Sequence, residues 1–320
     1  MSEYTERAVR FGHEASWGTY GTNFDNVEYC LTFDATTTEE KIEEDLVSSS
    51  RQARSRAWAQ RSVVGSWESN IMSPRLLYYA LGSVSTDAAS PYTINFQGDL
   101  ALPSFSIERT LRGQSDTFSV GYYGCKVDRY ELLVEAEQDI TQTVDWIGKN
   151  NQENSYTWST IAASGTFTSD PFTYLNACFT YDGNTLRVNR VRIEINNNLT
   201  PRYGAYCTGN DPTPFELREG AQIITGEFTI DEDISDYAID RARARSEGTI
   251  IVIIGATDRG TMTMTMNKVT IDEFPDTIRG KDVYEIAFPF TARATGPSAY
   301  DAFSATYVNA TAGTVHDMGI

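Results

Sequence analysis

Histidine and cysteine are scarce in this sequence, and each shortage argues against a class of chemistry. Only two of the 320 residues are histidines, so a Ser-His-Asp or Cys-His site would require His13 or His316 to fold back into a catalytic position. The four cysteines form no Cys-x-x-Cys pair, which argues against a zinc or thioredoxin-like motif and predicts buried thiols. Phosphate-binding glycine loops and dinucleotide-binding fingerprints are also missing. We therefore expect no enzyme activity, no cofactor and no bound metal.

Long apolar runs are missing as well. No segment approaches the roughly 18 apolar residues that a membrane-spanning helix requires. The residues from Met1 to Arg7 lack the basic and then apolar pattern of a secretory signal. The sequence therefore predicts synthesis in the cytoplasm without membrane insertion.

Lysine is the rarest of the common charged residues, and the charge balance is strongly acidic. Five of the 26 basic residues are lysines, the other 21 are arginines, and the formal net charge is −18. Such a surface suits a high-salt habitat, because strong screening weakens repulsion between carboxylates. It also argues against tight nucleic-acid binding, which needs clustered basic side chains. If DNA approaches this protein, it should slide past.

The remaining pattern is that of a mainly β protein. Runs of alternating apolar and polar residues recur between Gly, Pro and Asp breaks, and two helices are predicted, at 73–82 and 234–245. Each helix belongs to one β-sandwich or barrel module. We predict these units: an N-terminal arm at 1–25, a first module at 26–150 with a long loop at 38–62, a linker at 151–170, a second module at 171–295, and a C-terminal extension at 296–320.

The second half of the sequence resembles the first. Gly65 is followed, after one spacer residue, by Trp67 on a predicted strand that precedes a helix. Gly226 is followed in the same way by Phe228. Other strand-like segments follow in the same order in both halves. The repeat predicts two related modules in which Gly65 and Gly226 occupy equivalent positions.

The predicted loop carries blocks of opposite charge, which could pair the loop of one copy with that of the next. The alternative is a solvated segment whose charges are incidental. Together with two residues of the arm, these charges are the predicted assembly residues: His13, Trp17, Glu39, Glu40, Glu43, Glu44, Arg51, Arg54, Arg56 and Arg61.

Several short segments resemble, in their order, the tail tube proteins of long-tailed viruses, and the acidic composition points to a halophilic archaeal host. The segments are His13 to Thr19, Arg61 to Gly65, Ser73 to Gly82, Leu102 to Glu108 and Glu194 to Leu199. The resemblance implies a β-sandwich or small barrel flanked by one helix. One sheet of each unit would join its neighbours into a continuous inner β-barrel, and rings would stack into a tube through the arm and the long loop.

The chain is about twice as long as a minimal tube module, so the resemblance implies a tandem duplicated tail-tube fold. Three chains would then form a pseudo-sixfold ring; the alternative is six chains with the extra mass outside. The implied partners are the protein itself, tail terminator and tail tip proteins, and viral DNA passing transiently through an acidic lumen. Removal of residues 1–25 is expected to leave folded subunits that cannot polymerise.

Two other function classes stay open at this point. The first is another self-assembling β-rich virion or surface protein, used for decoration or adhesion. The second is a carbohydrate-active β-sandwich enzyme, since a glycosidase needs only two well-placed carboxylates and the chain has 44 Asp and Glu residues.

Overall fold

The computed structural model describes residues 6–21, 24, 26–28, 30–43, 56–71, 74–87, 92–112, 117–154, 171–204, 212–231, 236–256, 260–273, 285–296 and 299–309. These residues form a mainly β protein, as predicted. The strands of the first half are β1 (Glu6–His13), β2 (Asn26–Glu28), β3 (Cys30–Glu43), β4 (Arg56–Asn70), β5 (Gly82–Thr86), β6 (Tyr92–Gly98), β7 (Phe105–Arg112), β8 (Thr117–Glu135), β9 (Thr141–Gly148) and β10 (Asn150–Asn154), and α1 (Arg75–Leu81) follows β4.

The second half begins with a short 3₁₀ turn at Tyr174–Asn176. Its strands are β11 (Ala177–Tyr181), β12 (Asn184–Leu186), β13 (Arg190–Asn196), β14 (Thr200–Arg202), β15 (Glu216–Arg218), β16 (Ile223–Asp231), β17 (Gly248–Ala256), β18 (Gly260–Ile271), β19 (Glu285–Ala292) and β20 (Phe303–Asn309), and α2 (Asp236–Ala244) follows β16. Both helices lie where the sequence predicts them.

The two halves have the same antiparallel pairings in the same chain order. In the first half the pairs are β1–β2, β1–β7, β7–β8, β8–β10, β3–β4, β4–β9 and β8–β9. In the second half they are β11–β12, β11–β17, β17–β18, β18–β20, β13–β16, β16–β19 and β18–β19. Two hairpins have no counterpart: β5–β6 in the first half and β14–β15 in the second.

Strand β8 belongs to two sheets. Its first part, through Cys125, pairs with β7 and β10, and its second part pairs with β9 on one side and β13 on the other. Gly124 lies near the end of the first part with φ of 65°, a conformation that favours glycine. The pairing of Arg129–Glu135 with Arg190–Asn196 joins the two halves. A second junction is formed by β6 and β20, through residues 92–97 and 304–309.

Gly65 and Gly226 have matching surroundings, each on the strand that precedes the helix of its half. Gly65 pairs with Trp146 on β9, and Gly226 pairs with Phe290 on β19. A Cβ atom added at Gly65 would lie 2.3 Å from Cζ2 of Trp146, and one added at Gly226 would lie 2.4 Å from Cζ of Phe290. In both halves the glycine thus makes room for a buried aromatic ring.

Helix α1 is almost entirely buried, which its sequence explains. Pro74 precedes its first turn, where a missing N–H costs nothing, and Leu76, Leu77 and Leu81 are all buried. Gly82 ends the helix with φ of 110°, and its N–H donates to the carbonyl oxygen of Tyr78. An apolar helix with this cap must lie against a sheet, and its closest packing is with β8 and β6.

The prediction of a separate N-terminal arm at 1–25 is wrong for the residues that the structure describes. Strand β1 pairs with β7 along its whole length, and Phe11 is fully buried with its ring stacked 5.8 Å from that of Trp67. Buried aromatic area of this kind is a large contribution to folding. Removal of residues 1–25 would therefore damage the fold itself, contrary to the prediction that folded subunits remain.

Three further boundaries also need correction. The predicted loop at 38–62 is strand in 38–43 and 56–62, because β3 and β4 form one long hairpin, while 44–55 lies outside the described residues. The linker at 151–170 begins as part of β10, and the extension at 296–320 contains β20, where Phe303 and Tyr307 are buried. Among the described cysteines, Cys125 is a buried thiol but Cys178 is exposed.

Candidate functional site: the polar face of the long sheet

One continuous sheet crosses both halves, and we call it the long sheet. It consists of β3, β4, β9, the second part of β8, β13, β16, β19 and the end of β18, hydrogen-bonded in that order. Its strands alternate, so that Val63, Trp67, Val144, Ile193 and Phe228 are buried on one face. The residues between them lie on the opposite side, which we call the polar face.

Charged side chains are concentrated on the polar face. Glu68, Thr143, Glu131, Glu194 and Thr225 are successive register partners across five strands. Among the described side chains of this face, carboxylates outnumber basic groups. The acids are Asp34, Glu68, Glu131, Glu135, Asp145, Glu194, Glu227 and Glu285, and the basic residues are Lys126, Arg129, Arg190 and Arg192. The face is therefore a surface that repels anions.

An ion-pair network lies where β8 meets β13. Glu131 and Glu194 are directly opposite each other in the register, an arrangement that is unfavourable unless cations lie between them. Arg192 bridges the two carboxylates at 2.8 and 3.1 Å, and Arg129 also contacts both, lying 3.0 Å from Glu194. Asp145 lies 3.5 Å from Arg129. The hydrogen bond to Glu131 raises the pKa of Arg192, against the effect of partial burial.

Sequence reasoning missed this network. The segment Arg190-Val191-Arg192-Ile193-Glu194 alternates charged and apolar residues, which indicates a strand with one charged face. Arg129, Tyr130 and Glu131 follow the same pattern. The pattern does not reveal that β8 pairs with β13. This pairing brings Arg192 into contact with Glu131, 61 positions away.

The predicted charged loop pairs with itself in the part that the structure describes. Arg61 lies 3.5 Å from Glu39 across the β3–β4 hairpin, and it donates to Oδ1 of Asn151 at 2.5 Å. Glu43 lies opposite Arg56 in the backbone register. Opposite charges on facing strands stabilise the hairpin modestly, and the Arg61–Glu39 pair forms within one chain. The side chain of Glu40 is exposed, whereas Glu44, Arg51 and Arg54 lie outside the described residues.

The two predicted assembly residues of the arm lie against their own chain. Trp17 donates its ring N–H to the carbonyl oxygen of Gly124 at 3.0 Å, and the ammonium of Lys149 lies 5.0 Å from the centre of its ring. The turn that follows β1 is held by the buried carboxylate of Glu14, which accepts hydrogen bonds from the N–H groups of Gly18 and Gly124. His13 is exposed and lies 6.1 Å from the ring of Tyr78.

The long sheet ends in an edge strand, β3. In the described part of the chain, β3 has ladder pairs with β4 alone, which leaves its other side open along Cys30–Glu43. Leu31 on this strand is exposed. Open edges promote association with another strand unless they are protected. The edge is thus a surface through which the sheet can continue into another subunit.

The described residues contain no group of three or more His, Cys, Asp or Glu side chains that could hold a metal ion. Neither of the two described helices is long and apolar enough to cross a membrane.

The comparison with known families decides between the function classes. A family model described as phage tail tube protein matches residues 5–292, which is nearly the whole chain. The chain belongs to the phage tail tube protein family. Tail tube proteins are structural components of the virion tail, and they assemble into a tube together with other tail proteins. No curated protein matches this sequence.

Proposed function

We propose that this tail tube protein polymerises into stacked rings, that each chain supplies two of six wall segments in a ring, and that the tube delivers the viral genome. The observation that carries the proposal is the pairing of β8 with β13 inside one chain. This junction joins two four-strand units, β3-β4-β9-β8 and β13-β16-β19-β18, that have the same internal pairings. That correspondence supports a tandem duplicated fold.

The internal junction is a template for ring closure. In the matched pairings, β3 corresponds to β13 and β18 corresponds to β8. Pairing of β18 in one copy with the open edge of β3 in the next would therefore repeat the β8–β13 contact. Head-to-tail contacts of this kind close into a ring when the rotation between copies is a simple fraction of a turn. Three chains complete a pseudo-sixfold barrel and pair every edge of the long sheet.

The polar face would line the lumen. Its buried counterpart packs against the rest of the chain, so only the polar face is free to form the inner wall of a closed barrel. An excess of carboxylates there repels phosphate, and DNA passes without specific binding.

Stacking of rings would use the β3–β4 hairpin. Strand β9 pairs with β4 only along Val63–Asn70, so the hairpin extends past the long sheet on both strands, through Glu43 and from Arg56. The exposed Glu40 belongs to this extension, whereas the charges at 44, 51 and 54 lie outside the described residues. We expect this extension to contact the next ring, the tail terminator or the tail tip.

The host is a separate part of the proposal. The net charge of −18 with few lysines suits a halophilic archaeal host, in whose cytoplasm the protein would be synthesised.

Electron microscopy of tubes grown from the purified protein in high salt tests the proposal. The expected image is a stack of rings with three chains each and two similar wall segments per chain. Six chains per ring, with the second halves on the outside, would contradict the three-chain arrangement. Discrete particles that never polymerise, with ordered secondary structure by circular dichroism, would contradict the tube itself.

A further inference from the structure

Arginines are unexpected on a surface along which DNA must slide. The planar guanidinium of arginine binds phosphate through two parallel hydrogen bonds, and each such contact strengthens nucleic-acid binding. Arg129 and Arg192 lie on the polar face, and their side chains keep 33% and 38% of their exposure to solvent. They are therefore accessible to a polyanion, and something must keep them from binding it.

Carboxylates already occupy both guanidinium groups. One terminal nitrogen of Arg129 contacts Glu131 and Glu194, and the other lies 3.5 Å from Asp145. A single terminal nitrogen of Arg192 contacts Glu131 at 2.8 Å and Glu194 at 3.1 Å. Every bidentate geometry of a guanidinium uses the nitrogen that contacts both glutamates, so a phosphate could bind either arginine through two hydrogen bonds only by displacing a carboxylate. Three carboxylates against two guanidiniums also leave the group with a net negative charge.

We propose that Glu131 and Glu194 mask Arg129 and Arg192 from nucleic-acid phosphate, so that the junction between the two halves adds no anion-binding site to the inner wall. This inference rests on the proposed function, because the polar face must line the lumen. Both carboxylates are less exposed than the arginines with which they pair, at 18% and 22%. Each carboxylate contacts both guanidinium groups, so the two glutamates together keep both arginines paired.

A purely structural role for the network predicts different behaviour. Arginine bridges between two opposed glutamates also hold β8 against β13, and neutralising the glutamates would weaken that junction in either case. Only the masking role predicts that the neutralised protein gains affinity for DNA. Binding of DNA, and not stability, is therefore the quantity to measure.

The test compares E131Q/E194Q with the wild-type chain and with a matched control, D34N/E68Q. The control removes the same number of carboxylates from the same face, but neither Asp34 nor Glu68 contacts Arg129 or Arg192 in the ion pairs of the described residues. The probe is a fluorescent DNA duplex of about 20 base pairs, followed by anisotropy between about 50 and 200 mM salt.

We expect E131Q/E194Q to bind the duplex at least about tenfold more tightly than the wild type, with a salt dependence steeper by up to about two units in log–log slope. The control should change little, and R129Q/R192Q in the E131Q/E194Q background should abolish the gain. No gain in E131Q/E194Q, or an equal gain in the control, would overturn the masking role. If E131Q/E194Q does not fold, the single variant E194Q serves instead, with a smaller gain expected.

The same preparations, viewed by electron microscopy, separate this inference from the proposed function. Normal wild-type tubes with no gain of DNA binding in the variant would overturn the masking role and leave the conduit intact. Absence of wild-type tubes would overturn the proposed function. The masking role would then be overturned too, even if the variant gained DNA binding, because there would be no lumen for the polar face to line.

Discussion

Replacement of Gly226 by alanine should destabilise the protein although alanine is only one methyl group larger. The added Cβ would lie 2.4 Å from Cζ of Phe290 and 2.5 Å from the carbonyl oxygen of Arg192. Real Cβ atoms do not approach other heavy atoms so closely, so the ring or the backbone has to move. Phe290 is buried, and the carbonyl belongs to the pairing of β13 with β16, so neither can move without loss. Gly65 has the same problem with Trp146 and the carbonyl of Asp34.

The expected cost follows from known effects of overpacking. Extra carbon in a packed core costs about 1–3 kcal/mol, and the lower chain entropy of alanine in the unfolded state returns about 0.4–1 kcal/mol. We therefore expect G226A to lower the free energy of unfolding by about 1–2 kcal/mol, with a fall in the melting temperature of about 1.5–3 °C. G65A should behave in the same way. Urea denaturation followed by circular dichroism measures both.

A matched control separates sterics from the general effect of replacing glycine. No heavy atom lies within 4 Å of the position where a Cβ at Gly296 would be, so G296A should leave stability unchanged or slightly raised. F290L in the G226A background should recover part of the loss, because the smaller side chain leaves the space that alanine needs. Equal stability of G226A and the wild type would refute the reasoning about both glycines.

Two other predictions concern carboxylates. E108Q should lower the free energy of unfolding by about 3–5 kcal/mol in urea denaturation, because Glu108 is fully buried 2.9 Å from Arg10. An R10M/E108L double variant should lose less stability, because it leaves no unpaired buried charge. Asp128 has its pKa raised above the ordinary 3.8 mainly by burial, opposed by a hydrogen bond from the N–H of Leu199. The folded state therefore binds the proton of the Asp128 carboxyl more tightly than the unfolded state does. The contribution of Asp128 to the free energy of unfolding falls as the pH rises through that pKa. D128N should be more stable than the wild type in urea denaturation at neutral pH, and the advantage should vanish in acid.

Local patterns were sufficient to predict the helices and most strands. The proline before Arg75 and the glycine after Leu81 bound an apolar segment that can only be a buried helix. Strands such as β13 alternate strictly between buried and exposed positions. The repeat of Gly65 and Gly226 was visible because both glycines precede an aromatic residue on a strand that leads into a helix.

Other features depend on partners far along the chain. The charge and glycine content of residues 1–25 predicts an extended arm and not a core strand. In the structure, Glu108, 98 residues away, neutralises the charge of Arg10 and allows the strand to be buried. The charged segment around Glu39 resembled a loop, because its pattern does not reveal that Arg61 lies opposite on the neighbouring strand. The ion pairs of the polar face have the same origin, since only the β8–β13 register defines them.

The two junctions between the halves should make the chain difficult to divide into two independent proteins. Separation within 155–170 would leave β8 without β13 and β6 without β20, so each half would carry unpaired backbone N–H and C=O groups on two strands. The second junction uses the β5–β6 hairpin, which has no counterpart in the other half. The halves are therefore not interchangeable, and a half expressed alone should need the other half, or a partner strand, to cover its open edges.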